Sequence, residues 1–408
     1  MKFKKILKLD ISIEDLLVFL YLITLPFLKI GFKVYYYTLS LSDFILSIFF
    51  IKMIYDLFLK KIKIPKQLLT FLYIYLIFLF LIGISFFQAK NKLDFLLDFL
   101  PYIYGLFLIF SFIIYFSKNP NNEKIFNSSI VFSIILISLL AILYLIMPEE
   151  RFTFVSPSKK YIFFLKKPNQ LSMLSIIYFC FYLILNINLI NLNFIWIILP
   201  GLYLNIILST ASRSGLFLSG VSIIIFYYIF FKKIYKDKKN IKLTYKLVIS
   251  LIFLILIFTL HKNVFFTYGS RRALRVFDNI KEFDLSDDIR REINKKAISV
   301  FKNNVLFGIG LGNFKKNYFH HEIHNAYLSL LTETGVIGFT AFIILLFIII
   351  KNVASNFLLE FWGIIGIILL FNWFHYVLRE RWVWLFFVFF QFYNLKLKNN
   401  FFGYNKKE

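Results

Sequence analysis

The chain has 408 residues, 60% of them apolar and 21% aromatic, with a mean hydropathy of +0.75. That composition excludes a soluble globular domain and predicts an all-α integral membrane protein, because many apolar runs approach the roughly 20 residues that a helix needs to cross a bilayer. The net charge of +25 does not point to nucleic acid, since the lysines stand in short clusters between apolar runs, as topology signals do, rather than along one basic face.

Lys2, Lys4, Lys5 and Lys8 precede the first apolar run, which lacks a small-residue cleavage site and reads as an uncleaved helix. Twelve spans are predicted, near 15–33, 39–58, 67–87, 95–117, 125–147, 170–189, 192–210, 215–231, 247–260, 325–350, 357–375 and 382–395. The strongest lysine clusters, Lys60 to Lys66, Lys232 to Lys246 and Lys396 to Lys407, fall on the side of the N-terminus. The positive-inside rule therefore places both termini in the cytoplasm. Residues 1–260 then hold spans one to nine, residues 261–324 form one large outer loop, and residues 325–408 hold spans ten to twelve and a cytoplasmic tail. Cys180 lies inside an apolar span, which leaves neither a disulfide framework nor a cysteine-based metal site.

Two outer segments stand out. One, at 148–169, contains Arg151 and Pro168-Asn169; the other is the polar island from His261 to His324. The island holds His261, His320, His321 and His324, four of the five histidines, together with Arg271, Arg272, Arg275, Arg290 and Arg291. Only nine of the 47 basic residues are arginine, so arginine is kept where a planar fork binds phosphate or carboxylate better than a point charge does. The island is too short and polar to bury a core of its own, and it is expected to cap the helix bundle.

Within the island, Ser286 reads as an N-cap, with Asp287 and Asp288 in the first turn of a helix whose apolar face is Ile289, Ile293, Ala297, Val300 and Phe301. Those positions span an arc of about 120°. Arg290 falls inside it and Arg291 outside. An arginine on a packed face needs an anion, so Arg290 is either a substrate contact or one half of a salt bridge.

Next come Gly308, Gly310 and Gly312, which permit tight turns and close backbone approach without the strand that a nucleotide loop requires. His320, His321, Glu322 and His324 then precede a long helix bearing Glu333, Gly335 and Gly338. His324 stands at the helix start, where the positive dipole end disfavours imidazolium and leaves a neutral base. Glu333 is an intramembrane carboxylate and thus a functional suspect, and the glycine pair suits close approach of another helix. The histidines lack metal-site spacing; a chemically idle cluster at the membrane interface is the bland alternative. Ser209 to Gly215 is a very short outer turn that pins Arg213 at the membrane surface, by function or by snorkelling. A transporter would also suit twelve spans and intramembrane acids, but the polar residues gather in one asymmetric loop, which favours an enzyme.

These motifs resemble the O-antigen ligase and polymerase superfamily of bacterial envelope enzymes. His324-Asn325, nine residues, then Gly335 and Gly338 resemble its hallmark; Arg290, Ile293, Ala297, Phe301 and Val305 through Gly312 resemble its upstream pattern; Ser212 to Gly215 resemble its Ser-Arg turn. The likeness covers about 195–350, with Asn294 where the family often carries Trp. It implies a glycosyltransferase-C-like fold of about twelve helices with one large periplasmic loop, in the bacterial inner membrane. It implies metal-independent glycan transfer, needing no cofactor, from undecaprenyl diphosphate to a sugar hydroxyl of lipid A-core. His324, Arg290 and Arg213 would be catalytic, and Asn325, His321, Arg275, Arg271 and Glu333 would contact substrate. A polymerase, or a transferase acting on protein hydroxyls, shares the same motifs.

Overall fold

The computed structural model describes residues 12–27, 31–34, 37–60, 62–118, 123–146, 165, 168–186, 194–210, 212–236, 241–264, 280–351, 353, 358–376 and 378–402. In chain order the elements are α1 (Ile13–Thr24), β1 (Gly31–Val34), β2 (Tyr37–Ser40), α2 (Leu41–Lys60), α3 (Lys66–Ile84), α4 (Lys92–Lys118), α5 (Glu123–Ile146), α6 (Pro168–Asn186) and α7 (Phe194–Thr210). They continue as α8 (Arg213–Lys236), α9 (Ile241–Val264), α10 (Ile280–Asn303), α11 (Asn313–Asn317), α12 (Ala326–Lys351), α13 (Leu358–Phe374) and α14 (Arg381–Phe402). The protein is an all-α integral membrane protein. Each of the twelve predicted spans falls on a helix; among the described residues seven helices, namely α3 to α6, α8, α9 and α12, are long and apolar enough to cross a membrane by length and composition, while α7 and α13 are apolar but shorter.

The first span is shorter than its apolar run. A capping box, in which Ser12 and Asp15 exchange side-chain and backbone hydrogen bonds, starts α1. The helix ends at Thr24 because Pro26 has no N–H to continue the ladder. The apolar residues beyond it form an antiparallel hairpin instead, with Gly31 opposite Ser40 and Val34 opposite Tyr37, a use that suits β-branched and aromatic side chains.

Helices apolar on every side belong at the centre of a bundle. In α14 every side chain from Trp382 to Phe390 is fully buried, and α6 is buried from Leu171 to Asn186. Aromatic rings fill the space between: Trp384 packs edge-on against Tyr75 at 4.8 Å, Phe126 stacks on Phe389 at 4.6 Å and Phe116 on Phe392 at 4.3 Å.

Charges collect at the two ends of this apolar body. At one end Glu14 and Asp56 are held by Lys52 and Lys118, which brings the start of α1 beside the ends of α2 and α4. At that end too, Lys232 of α8 meets Glu360 of α13 at 2.5 Å. At the other end Arg381 binds Asp43 at 2.5 Å and Arg379 binds Asp98 at 2.7 Å, joining the starts of α14, α2 and α4.

The polar island differs from its sequence reading in three ways. His261 belongs to α9, buried against α7 with its Nε2 at 2.6 Å from Asn205 Oδ1. The amphipathic helix α10 begins at Ile280, so Ser286 lies inside it and is not its cap. The segment also makes a small core of its own from Ile293, Ala297, Val300, Ile309, Phe314 and Ile323, seated on the first half of α12.

That first half is set off by a break. Gly335 has φ 68° and ψ −171° within α12. The backbone groups it frees are taken up by the glycine loop: Ile309 N–H donates to Thr332 O (3.2 Å), Gly310 N–H to Glu333 O (2.8 Å), Val336 N–H to Val305 O (2.9 Å) and Ile337 N–H to Leu306 O (3.3 Å). The partner that approaches Gly335 is thus a loop backbone rather than the second helix that the glycine pair led one to expect. A Cβ at Gly335 would lie 2.2 Å from Leu306 O. Gly335→Ala is therefore expected to cost at least about 2 kcal/mol. Gly220→Ala, whose methyl meets nothing within 4 Å, should be neutral or gain up to about 1 kcal/mol of helix propensity. Thermal unfolding in detergent, followed by tryptophan fluorescence, checks the pair; equal midpoints would contradict the break.

Candidate active site at one end of the bundle

At the end that holds Arg379 and Arg381, α6 and α8 begin side by side, and α12 begins next to His375. Pro168 opens α6 at the position where a missing N–H costs nothing. Ser212 caps α8: its Oγ accepts the Gly215 N–H at 3.2 Å and its carbonyl accepts the Leu216 N–H at 2.8 Å. Asn325 caps α12, where Oδ1 accepts the N–H groups of Tyr327 and Leu328, both at 3.0 Å. Gly215 lets α8 close on α6, since a Cβ there would sit 2.8 Å from Ser172.

Side chains tie these starts together. Ser212 Oγ donates to Asn169 Oδ1 at 2.8 Å. The Asn169 amide nitrogen then faces His375 Nδ1 at 3.5 Å, and His375 Nε2 lies 2.8 Å from Ser214 Oγ. This pattern fits a His375 ring that accepts at Nδ1 and donates from Nε2. The His375 ring stands nearly perpendicular to that of His324, at 88° with centroids 6.4 Å apart. Gln170 donates to Glu380 Oε1 at 2.7 Å, which anchors the α13–α14 link to the start of α6.

The predicted site residues separate into groups. Arg213 is the exposed first residue of α8, between two serines of the network, and His324 is exposed at the entry to α12. Arg290 is exposed as well, although the sequence placed it on a packed face: among the described side chains of α10 the first buried one is Ile293, and Ile289 is 42% exposed. Arg291 pairs with Asp288 at 3.7 Å on the surface. His321 is exposed, its ring 6.0 Å from Phe319. Asn325 spends its side-chain oxygen on the cap, and Glu333 is buried just before the break, with Ser329 Oγ at 3.4 Å. Arg271 and Arg275 lie outside the described residues.

Sequence reasoning missed His375, Gln170 and Glu380. The signal was the fifth histidine, placed at the end of a predicted span, five residues from two arginines' neighbourhood at Glu380. Burial opposes the charged form of Arg379, but the carboxylates of Asp98 and Glu333, with Tyr376, outweigh it and hold its pKa well above the usual value. Its ring neighbour is Tyr376, 4.1 Å from the guanidinium carbon. Among the described residues no group of three or more His, Cys, Asp or Glu is placed to hold a metal ion.

A bundle of apolar helices with exposed basic groups and a histidine pair at one end defines a multi-pass membrane protein with a candidate reaction centre there. Residues 195–343 match the family model described as O-antigen ligase. The match runs from α7 into α12, contains Arg213, Arg290 and His324, and supports the O-antigen ligase and polymerase superfamily of glycan transferases. It implies a lipid bilayer and a lipid-linked glycan as partners. No curated protein matches the chain.

The Asn169–Ser212 bond yields a prediction. Ser212→Ala removes both a helix cap and an anchor of the histidine network, and should cost about 1 kcal/mol of stability. Glycan transfer by the detergent-purified variant should fall by more than that modest destabilisation accounts for; unchanged transfer would show that the network does not set the site.

Proposed function

We propose that the protein moves a glycan from undecaprenyl diphosphate to a sugar hydroxyl of lipid A-core, at the periplasmic face of the bacterial inner membrane. The observation that carries this reading is the meeting of the Arg213 turn, His375 and His324 where α6, α8 and α12 begin. Helix starts carry partial positive charge and unsatisfied N–H groups, which favour an anion such as a diphosphate. Arg213 and Arg290 add full charges that neither burial nor a crossing's apolar surroundings withhold from a ligand, since both are exposed.

In this mechanism the acceptor O–H gives its proton to His324, and the oxygen attacks the anomeric carbon. The bond from that carbon to the diphosphate oxygen breaks, and the electron pair leaves with undecaprenyl diphosphate. Arg213 and Arg290, with Arg271 and Arg275, offset the charge that develops on the leaving group. His375 acts as a positioning residue: through Ser214 it holds the Arg213 turn, and its ring borders His324. The intact sugar–diphosphate bond supplies the driving force, so no nucleotide enters. The match at residues 195–343 supports this class of chemistry.

His324→Ala is expected to lower transfer by about 100-fold or more, with an unchanged melting midpoint because the side chain is exposed. Arg213→Lys and Arg290→Lys should each lose about tenfold or more, because an ammonium does not replace the guanidinium fork. Transfer from a purified lipid-linked donor in detergent measures all three; retention of most activity by His324→Ala refutes the base assignment. In cells, a deletion strain should lack polymer on lipid A-core while keeping it on the lipid carrier. A core bearing a single repeat unit would instead identify a polymerase.

A further inference from the structure

The chemistry above leaves one feature of this end unused: a cavity of about 590 Å³ that contains neither Arg213 nor His324 in its lining. Its volume lies in the range of small-molecule sites, about 300–1,000 Å³. Asp94 and Asp98 come from the first turns of α4, Lys315 and Lys316 from α11, Glu322 from the segment entering α12, and Glu333 from α12 itself; Arg379 closes it from the α13–α14 link. The cavity is walled by the glycine loop at Gly312, where a Cβ would lie 2.7 Å from Asp98 Oδ2.

Each cation in this lining meets a carboxylate: Lys316 pairs with Asp94, Lys315 with Glu322 at 3.3 Å, and Arg379 with Asp98 at 2.7 Å. The wall therefore presents three ion pairs, each with acceptor and donor groups, and a fourth carboxylate at Glu333. An anionic ligand would meet four carboxylates, and an acyl chain would cover the charged groups of the wall without pairing them, at a cost of about 1–3 kcal/mol for each polar group left without a partner. A sugar hydroxyl both donates and accepts, and vicinal hydroxyls match the spacing of a carboxylate or guanidinium.

Position completes the argument. Glu322 and Ile323 line the cavity immediately before His324, and Arg379 lines it four residues after His375. We propose that this cavity binds the neutral sugar at the end of the acceptor glycan and presents its hydroxyl to His324. Sugar binding rests on the lining alone; the word acceptor rests on the transfer reading.

Saturation-transfer NMR on the full chain in lipid nanodiscs tests it, with methyl glucoside and methyl galactoside as neutral probes, glucuronate as the anionic probe and glucosamine as the cationic one. The neutral glycosides should receive saturation and glucuronate should not, and binding should weaken about tenfold, or about 1.4 kcal/mol, in Lys315→Ala and Glu322→Gln. Both substitutions fall on side chains that are not fully buried, so the fold should survive them. Binding should persist in His324→Ala. Absence of saturation on the neutral glycosides, equal saturation of glucuronate or glucosamine, or unchanged binding in both cavity variants overturns the proposal. Full transfer activity in His324→Ala, with glycoside binding intact, would sink the transfer reading and leave the sugar site standing.

Discussion

The break in α12 at Gly335, and the four backbone hydrogen bonds that repair it, hold together the end of the protein that carries His324. A helix interrupted inside a bilayer protein exposes N–H and C=O groups that lipid cannot satisfy. The glycine loop satisfies them in strand-like fashion, and it is in turn fixed to α4, where Asn313 Oδ1 accepts the Asn91 N–H at 2.8 Å and Asn313 Nδ2 donates to Asn91 O at 3.2 Å. The first half of α12 is therefore placed by polar contacts with the loop and α10, while the second half belongs to the apolar bundle. His324 sits at the head of the placed half, and its position depends on a glycine eleven residues away.

Magnitudes divide the labour at the site. One helix start amounts to about half a positive charge and contributes roughly 0.3–1 kcal/mol to a nearby anion. A preorganised donor aimed at developing charge is worth about 2.7–4 kcal/mol. On the transfer reading, the three helix starts would bias the site toward an anion, and the guanidinium groups would carry most of the stabilisation. The serine and asparagine caps do two things at once: they complete the helices and they lock the histidine network, so the local stability of α6 and α8 and the geometry of the site rise and fall together.

Much of the helical framework was legible because an apolar run of bilayer length has few other uses, and two of the quoted motifs, Ser212 to Gly215 and His324-Asn325, stand at helix starts, where Ser212 and Asn325 act as caps. Other features were hidden for physical reasons. Angular arithmetic put Arg290 on the apolar face of α10, but it gives no measure of how far along the axis that face is covered; Ile289 and Arg290 are exposed and Ile293 is buried. Asp287 and Asp288 read as a first turn, yet the helix runs through them from Ile280, since a cap signal inside a helix is indistinguishable by sequence from one at its start. The glycine spacing in α12 announced close contact without revealing a positive φ. His375 escaped because its partners, Asn169 and Ser214, lie more than 160 residues away in sequence.

The two ends of the bundle carry charge of two kinds, enclosed and exposed. At the end that holds the start of α1, Glu14 and Asp56 are buried and closed off by Lys52 and Lys118, within 2.5–2.9 Å. Such pairs gain little net stability over apolar packing but are costly to break, which makes them markers of a fixed arrangement. At the opposite end Arg379 and Arg381 are of this kind, each bonded to an aspartate and laid over a tyrosine ring. Arg213, Arg290 and His324 are different, exposed at helix starts and along α10. Charges that the fold does not enclose are those a ligand can reach, and they coincide with the three residues that the family motifs bring forward.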